Sequence, residues 1–226
     1  MTAPDVFPPS TVEFLADLRE HNTREWFDAH RSRYEKDVLG PAKTVVAALA
    51  PVLERLSPGI HVEPRVLGSI FRINRDTRFS ADKRPYKDHL DLWFWHGARA
   101  GAVSGLYLRL APDGLSVGAG AHGLDKEPLR RYRQALADPE AGAALVRIAA
   151  DLEAAGHGIA GRTMTRPPRD VAAAPGAEPL LLHRALFVAS TEPAATASES
   201  GLVDRLAQRW RPFVPLHEWL VEHVQP

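Results

Sequence analysis

Two stretches in the middle of this chain alternate residue by residue. Over His89–Trp95, Leu90, Leu92 and Phe94 take one face, and His89, Asp91, Trp93 and Trp95 take the other. Over Gly105–Ala111, Leu106, Leu108 and Leu110 oppose Tyr107 and Arg109. A period of two places one row of side chains in a core and the other in water, which is the signature of a strand covered on one face. Pro112-Asp113-Gly114 is a turn signal, and Leu115–Ala119 returns as a hairpin partner. Ser69–Asn74 alternates in the same way, and Val62–Leu67 reads as a short strand weakened by Pro64.

Helical periodicity stands on either side of these strands. Ser10 with Glu13 forms a capping-box pattern ahead of Phe14, Leu15 and Leu18. Asn22 with Glu25 repeats it ahead of Trp26, Phe27, His30, Tyr34 and Val38. Gly40-Pro41 is expected to stop that helix and start the next, with a kink or restart at Pro51. Asp125 caps a helix to about Ala137, and Asp138-Pro139 starts another that ends near Gly156. Residues 157–179 are irregular, and Leu180–Ala189 fits helix or strand. Residues 190–200 read as a loop. Leu202–Val224 is helical with breaks at Pro212 and Pro215. Helices, then strands, then helices predict an α+β fold, with an antiparallel or mixed sheet flanked by N-terminal and C-terminal helices. No low-complexity linker divides the chain, so residues 1–226 are expected to form a single domain.

Composition narrows the function classes. The chain has no cysteine, which excludes disulfides, thiolate metal ligands and Cys nucleophiles. Its 28 basic and 28 acidic residues cancel, which disfavours a general nucleic-acid coat. The start lacks a basic n-region and an apolar h-region, and no apolar run approaches the roughly 18 residues of a membrane span, so no membrane partner is expected. A cytoplasmic location is the expectation. The ten histidines show no H-x-H or H-E-x-x-H arrangement, so no metal and no cofactor is predicted. Gly118-Ala-Gly120-Ala-His-Gly123 has G-x-G-x-x-G spacing, but no long helix opens from it, and it reads as a turn. Nothing in the sequence sets an oligomeric state.

Against this neutral background, residues 71–87 concentrate positive charge. Arg72, Arg75, Arg78, Lys83, Arg84 and Lys87 face only Asp76 and Asp82 within the segment. Arginine is common here, but two of only five lysines fall in this loop. Crowded cations repel one another unless anions or carboxylates offset them. Guanidinium forks and ammonium groups together suit a phosphate or carboxylate. Arg72, Arg75, Arg78, Lys83, Tyr86 and Lys87 are therefore the candidate ligand-binding residues, and Asp76 and Asp82 the candidate catalytic ones. Trp26, His30 and Tyr34 share a helix face and read as packing, with His30 as a general base in the alternative. Arg130, Arg131 and Arg133 read as a solvated helix face.

The string Arg72-Ile-Asn-Arg-Asp-Thr-Arg-Phe-Ser-Ala-Asp-Lys-Arg-Pro-Tyr-Lys87, with Asn22–His30 and the Pro41 junction, resembles the family called domain of unknown function 2461. The resemblance covers nearly the whole chain and implies a single-domain fold, but it supplies no activity. Arg84 departs from the pattern, where the family commonly carries Thr, and is left outside the candidate site.

Three readings of the basic loop stay open. In the first, it belongs to an anion-binding protein or to an enzyme acting on a phosphorylated or other anionic small molecule. Asp76 or Asp82 then serves as acid, base or metal ligand. In the second, it is a binding module for nucleic acid or a phosphorylated partner, with Trp rings as stacking platforms. In the third, it is architectural, and every cation is matched by an acid.

Overall fold

The computed structural model describes residues 5–168 and 171–226. Residues 1–4, which open the segment read as leaderless, and Arg169 and Asp170, inside the irregular 157–179 stretch, lie outside the described residues. The chain runs α1 (Pro9–Glu20), α2 (Arg24–Ala29), α3 (Arg31–Tyr34), a π-helical turn (Glu35–Leu39) and α4 (Gly40–Leu56). The strands β1 (Leu90–Trp95), β2 (Gly105–Ala111) and β3 (Gly114–Ala121) follow. Then come α5 (Lys126–Ala137), α6 (Pro139–Ala154), β4 (Ala160–Arg162), β5 (His183–Glu192), α7 (Leu202–Trp210) and α8 (Val214–His223). The strands form one antiparallel sheet in the order β1-β2-β3-β5-β4, so the fold is α+β with helices at both ends, as expected. No helix among the described residues is long and apolar enough to cross a membrane.

Several helix ends differ from expectation. The Ser10 capping box does not form. The helix begins at Pro9 with Pro8 at the N-cap position, and Pro8 has no side-chain oxygen to accept from the first turn. In α2 the cap is Thr23, whose hydroxyl accepts from the Trp26 N–H, and not Asn22. Gly40-Pro41 does not stop the helix. The chain continues through the π turn into α4, and Pro51 lies inside α4 without a restart. Pro41 lacks the N–H that the Asp37 carbonyl, four residues back, needs. The buried Thr11 hydroxyl donates to that carbonyl instead. Asp138 caps α6 as predicted, accepting from the N–H groups of Glu140 and Ala141.

The strand expectations divide in a similar way. Gly105–Ala111 forms as read, and the strand read over His89–Trp95 forms from Leu90, with its alternation ending at Trp95, which is buried. The G-x-G-x-x-G segment read as a turn instead carries Gly118 to Ala121 along β3. Gly120 has φ 118°, and a Cβ there would sit 2.1 Å from the Leu186 carbonyl oxygen. Gly161, with φ 102°, approaches the Ala185 carbonyl oxygen equally closely. Residues 178–182 form a 3-10 turn before β5, which resolves the helix-or-strand ambiguity in favour of a strand from His183. Val62–Leu67 and Ser69–Asn74 form no strands, only isolated bridges. Leu67 takes a left-handed conformation at φ 64°, and the chain folds back there, with the Gly68 N–H donating to the Arg65 carbonyl and the Ser69 N–H to the Glu63 carbonyl.

The chain groups into two compact units. One comprises Met1–Phe94, Tyr107–Val117 and Thr191–Ala207; the other comprises Trp95–Leu106, Gly118–Ser190 and Gln208–Pro226. The core of the first unit is aromatic. Phe14 packs against Trp26 at 5.7 Å, Phe27 at 6.5 Å and Tyr34 at 5.9 Å, ring centre to ring centre. Fully burying each large apolar side chain contributes about 1.5–3 kcal/mol. In the second unit the buried Tyr132 hydroxyl donates to the Leu180 carbonyl at 2.8 Å, and Trp219 donates to the Ala141 carbonyl at 3.0 Å. Both rings thereby bury their apolar bodies without stranding a polar atom.

Candidate functional site

The basic segment is the far end of a hairpin-like excursion in the first unit. Residues 69–71 run antiparallel to β1, with the Phe71 N–H donating to the Asp91 carbonyl and the Trp93 N–H to the Ser69 carbonyl. The two arms then bridge at Asn74 and Tyr86, with the Arg75 N–H bonded to the Pro85 carbonyl and the Lys87 N–H to the Ile73 carbonyl. Residues 75–85 are the loop so enclosed. Its base is held from outside by Asn22, whose amide donates to the Tyr86 carbonyl at 3.1 Å and accepts from the Tyr86 N–H at 3.0 Å. That exchange is why Asn22 does not cap α2. The buried Tyr86 ring stacks on Phe27 at 4.1 Å, which places it in packing beneath the loop.

Within the loop the same device occurs twice. The Asp76 carboxylate accepts from the Arg78 N–H, and the Asp82 carboxylate accepts from the Arg84 N–H, so each aspartate closes a turn on the residue two positions ahead. Each then holds the guanidinium of that same arginine. Arg78 reaches Asp76 at 3.0 and 2.6 Å, and Arg84 reaches Asp82 at 3.2 and 2.8 Å. Arg75 adds a bond to Asp82 at 2.6 Å, and the Lys83 ammonium donates to the Thr77 carbonyl at 2.9 Å. Hydrogen bonds from Arg78 hold Asp76 below the usual carboxylate range. Hydrogen bonds from Arg84 and then Arg75 hold Asp82 well below it. Both carboxylates are therefore ionised at neutral pH and already engaged.

A second cluster lies beside the hairpin base. Asp91 on β1 accepts from Lys87 at 3.1 Å, His89 at 3.3 Å and Arg109 at 2.7 Å. Burial alone would raise its pKa, but the bonds from His89 and Arg109 outweigh that and hold it well below the usual range. Lys87 also lies over the Phe71 ring at 4.8 Å. His89 turns its other nitrogen to Asp88, which in turn takes Arg19 at 2.8 Å. His89, Asp91 and Trp93 are half-buried, but Trp95, grouped with them in the sequence, is buried. His30, at the C-cap of α2, donates its Nδ1–H to the Trp26 carbonyl, and its ring stacks on Trp26 at 4.2 Å, in keeping with the packing reading.

Of the six cations in the segment, four are thus ion-paired. Lys83 bonds a carbonyl, and Arg72 makes neither an ion pair nor a hydrogen bond among the described residues. Arg72 lies at a cavity of about 220 Å³ inside the first unit. Phe27, Leu39, Val66 and Ile73 supply its apolar wall; Arg31, Tyr34, Arg72 and Asn74 supply its polar groups. The Asn74 amide and the Tyr34 hydroxyl likewise make no hydrogen bond among the described residues. Burial pushes the Tyr34 hydroxyl up to about 12, with the charge of Glu35 adding to the effect, so it stays protonated and can donate. Arg31 is engaged with Asp28 at 2.7 Å. The structure therefore sets Arg72 apart from Arg75, Arg78, Lys83 and Lys87. It also adds two residues that the sequence did not nominate. Tyr34 carried a helical packing signal only, and Asn74 was visible only as the strand-face neighbour of Arg72.

The family described as "Conserved hypothetical protein (DUF2461)" matches residues 10–219. The chain belongs to that family. Its match spans Asn22, the hairpin, Asp91 and the Arg72 cavity alike. No curated protein and no solved structure matches the chain. No group of three or more His, Asp or Glu side chains suited to a metal ion occurs among the described residues.

Proposed function

We propose that this DUF2461 chain is an anion-binding protein whose receptor is the Arg72 cavity. One observation carries the reading: the single guanidinium of the basic segment without a hydrogen bond or ion pair among the described residues borders a cavity whose other unengaged polar groups are both able to donate. A fixed positive charge, an amide and a protonated phenol favour an oxyanion. About 220 Å³ is smaller than the roughly 300–1,000 Å³ of pockets for drug-sized ligands, so the fit is to a small phosphate or carboxylate. On this reading Asp76 and Asp82 are turn-forming residues that hold the hairpin and so aim Arg72.

Calorimetric titration with inorganic phosphate and with small organic carboxylates tests this. A hydrogen bond to a charged group is worth about 1.5–3 kcal/mol, so Arg72→Ala is expected to weaken binding at least about tenfold. Its melting temperature should stay near that of the wild type, since Arg72 is exposed and makes no hydrogen bond or ion pair among the described residues. Tyr34→Phe should weaken binding by less. Unchanged affinity in Arg72→Ala, or no binding by the wild type at millimolar anion, refutes the reading.

One observation favours the second reading, a polyanion-binding module. Phe79 is 95% exposed at the loop tip, with the Arg78 guanidinium 5.7 Å from its ring centre and Lys83 and Arg84 also exposed. Exposed ion pairs exchange a carboxylate for a phosphate at little cost. A single-stranded oligonucleotide that binds in a salt-dependent way and is lost in Phe79→Ala would favour that reading over the cavity.

A further inference from the structure

The second unit contains a larger cavity, of about 670 Å³, between α5 and β5. Arg133 and Arg184 both line it. The pattern Arg130-Arg131-x-Arg133 suggested a solvated helix face, but Arg133 is half-buried. Among the described residues its Nε is buried with no hydrogen-bond partner, and its Nη2 reaches only the Met164 sulfur at 3.9 Å. A thioether is a weak acceptor, so the buried Nε–H is held out of water with its donor capacity unspent. Arg184, on β5, makes no side-chain hydrogen bond or ion pair among the described residues, and Lys126 at the rim makes none either. Arg130, by contrast, is consumed by Glu127 and Gln134. Glu127 also takes Arg131, and the hydrogen bond from Arg130 holds its carboxyl down to about 2. Among the described residues that line the cavity, the acids are Asp125 and Glu127, and the bases are Lys126, Arg130, Arg133 and Arg184. The balance of these described residues is positive, and of their two acids Glu127 alone is tied to a base.

The remaining wall is apolar. Leu124, Leu129, Ala137 and Val171 face the same space. We propose that this cavity is a binding site for an amphipathic organic anion: a carboxylate or phosphomonoester head on Arg133 and Arg184, with a hydrocarbon or aromatic body against the leucines. The volume falls within the range of ordinary small-molecule pockets. The apolar wall would be left wet by inorganic phosphate, and the two guanidiniums would be left unpaired by a neutral hydrocarbon. The site is independent of the Arg72 cavity, because none of its residues belongs to the first unit.

The test uses the full chain and four probes: octanoate, octyl phosphate, octanol and inorganic phosphate, each titrated calorimetrically. Octanoate or octyl phosphate should bind, with octanol and inorganic phosphate each at least about tenfold weaker at this site. Arg184→Ala, an exposed position on β5, should cost about tenfold in affinity for the amphipathic anions and leave the fold intact. Arg133→Lys keeps the charge but loses the planar fork, and should weaken binding while preserving packing. Arg72→Ala should change none of this, which separates the site from the first cavity. The proposal is overturned if neither amphipathic anion binds at millimolar concentration. It is equally overturned if octanol binds as tightly as octanoate, or if both Arg184→Ala and Arg133→Lys bind like the wild type.

Discussion

Acidification to pH 5 should destabilise this protein through one buried ring, His217. The ring is inaccessible to solvent, and its Nδ1 lies 2.9 Å from the Ser104 hydroxyl oxygen, itself buried. Nε2 has no hydrogen-bond partner. A protonated ring would carry a second N–H with nothing to accept it, inside an apolar setting. Burial therefore pushes its pKa down to about 3, with the neighbouring His96 ring, 5.2 Å away, adding to the effect. Unfolded histidine titrates near 6.5, so between pH 6.5 and 3 the unfolded chain holds one proton that the folded chain does not. The stabilisation by neutral His217 is complete above pH 6.5 and is lost as pH falls below it. The slope is about 1.4 kcal/mol per pH unit, and integrated from pH 7 to pH 5 the loss is about 2 kcal/mol.

Burial also lowers the pKa of His183, and that ring contributes in the same direction over the same window. The measurement is therefore a difference. Urea unfolding, followed by tryptophan fluorescence, is run at pH 7, 6 and 5 on the wild type and on His217→Gln, which keeps a polar partner for Ser104. The wild type should lose about 2 kcal/mol more than the variant between pH 7 and 5. Stopping at pH 5 keeps clear of Asp91 and Asp82, whose depressed carboxyls add their own acid loss only below the usual carboxylate range. Parallel pH profiles for the two proteins would refute the reasoning. If the variant does not fold, the Cε1–H resonance of His217 in the wild type decides instead, and a titration midpoint between pH 6 and 7 would contradict the buried neutral ring.

Two further perturbations follow from the first unit. Asp91→Asn leaves Lys87, His89 and Arg109 around a neutral amide, and should cost about 2 kcal/mol or more in urea unfolding at pH 7, with a shallower acid limb below pH 4. A loss below about 0.5 kcal/mol would mean that solvent screens the cluster. Thr11→Val removes the hydroxyl proton offered to the Asp37 carbonyl in place of the missing Pro41 N–H, and should cost about 1–3 kcal/mol, whereas Thr11→Ser, which keeps the hydroxyl, should cost less. Equal melting temperatures for the Val and Ser variants would count against the pairing.

The Asp-x-Arg repeats, Asp76-Thr-Arg78 and Asp82-Lys-Arg84, show how the segment was only half legible. The charge excess was plain, and so was the pairing capacity of its acids. The local turn that lets one carboxylate take both the backbone and the guanidinium of residue i+2 is readable in the spacing, but a rotamer decides whether it forms. That pairing removed Arg78 and Arg84 from the free cations. Arg75 went to Asp82 across the loop, and Lys87 went to Asp91 on the first strand. Arg133 moved the other way, from an apparent solvated face to a cavity wall.

Sequence alone determined the alternating strands at 90–95 and 105–111, the Asp138 cap and the break at Pro212, because each rests on contacts within a few residues or on side-chain periodicity. Pro215, by contrast, sits in the first turn of α8 and breaks nothing. It also determined which stretch would carry the positive charge. Tertiary structure alone decided that Asn22 spends its amide on Tyr86 and not on a helix end, that a π turn carries the helix past Pro41, and that Arg72 makes no ion pair among the described residues. Those outcomes depend on partners tens of residues away. A hydrogen bond or ion pair goes to whichever acceptor the fold brings within about 3 Å, and spacing along the chain does not encode that distance.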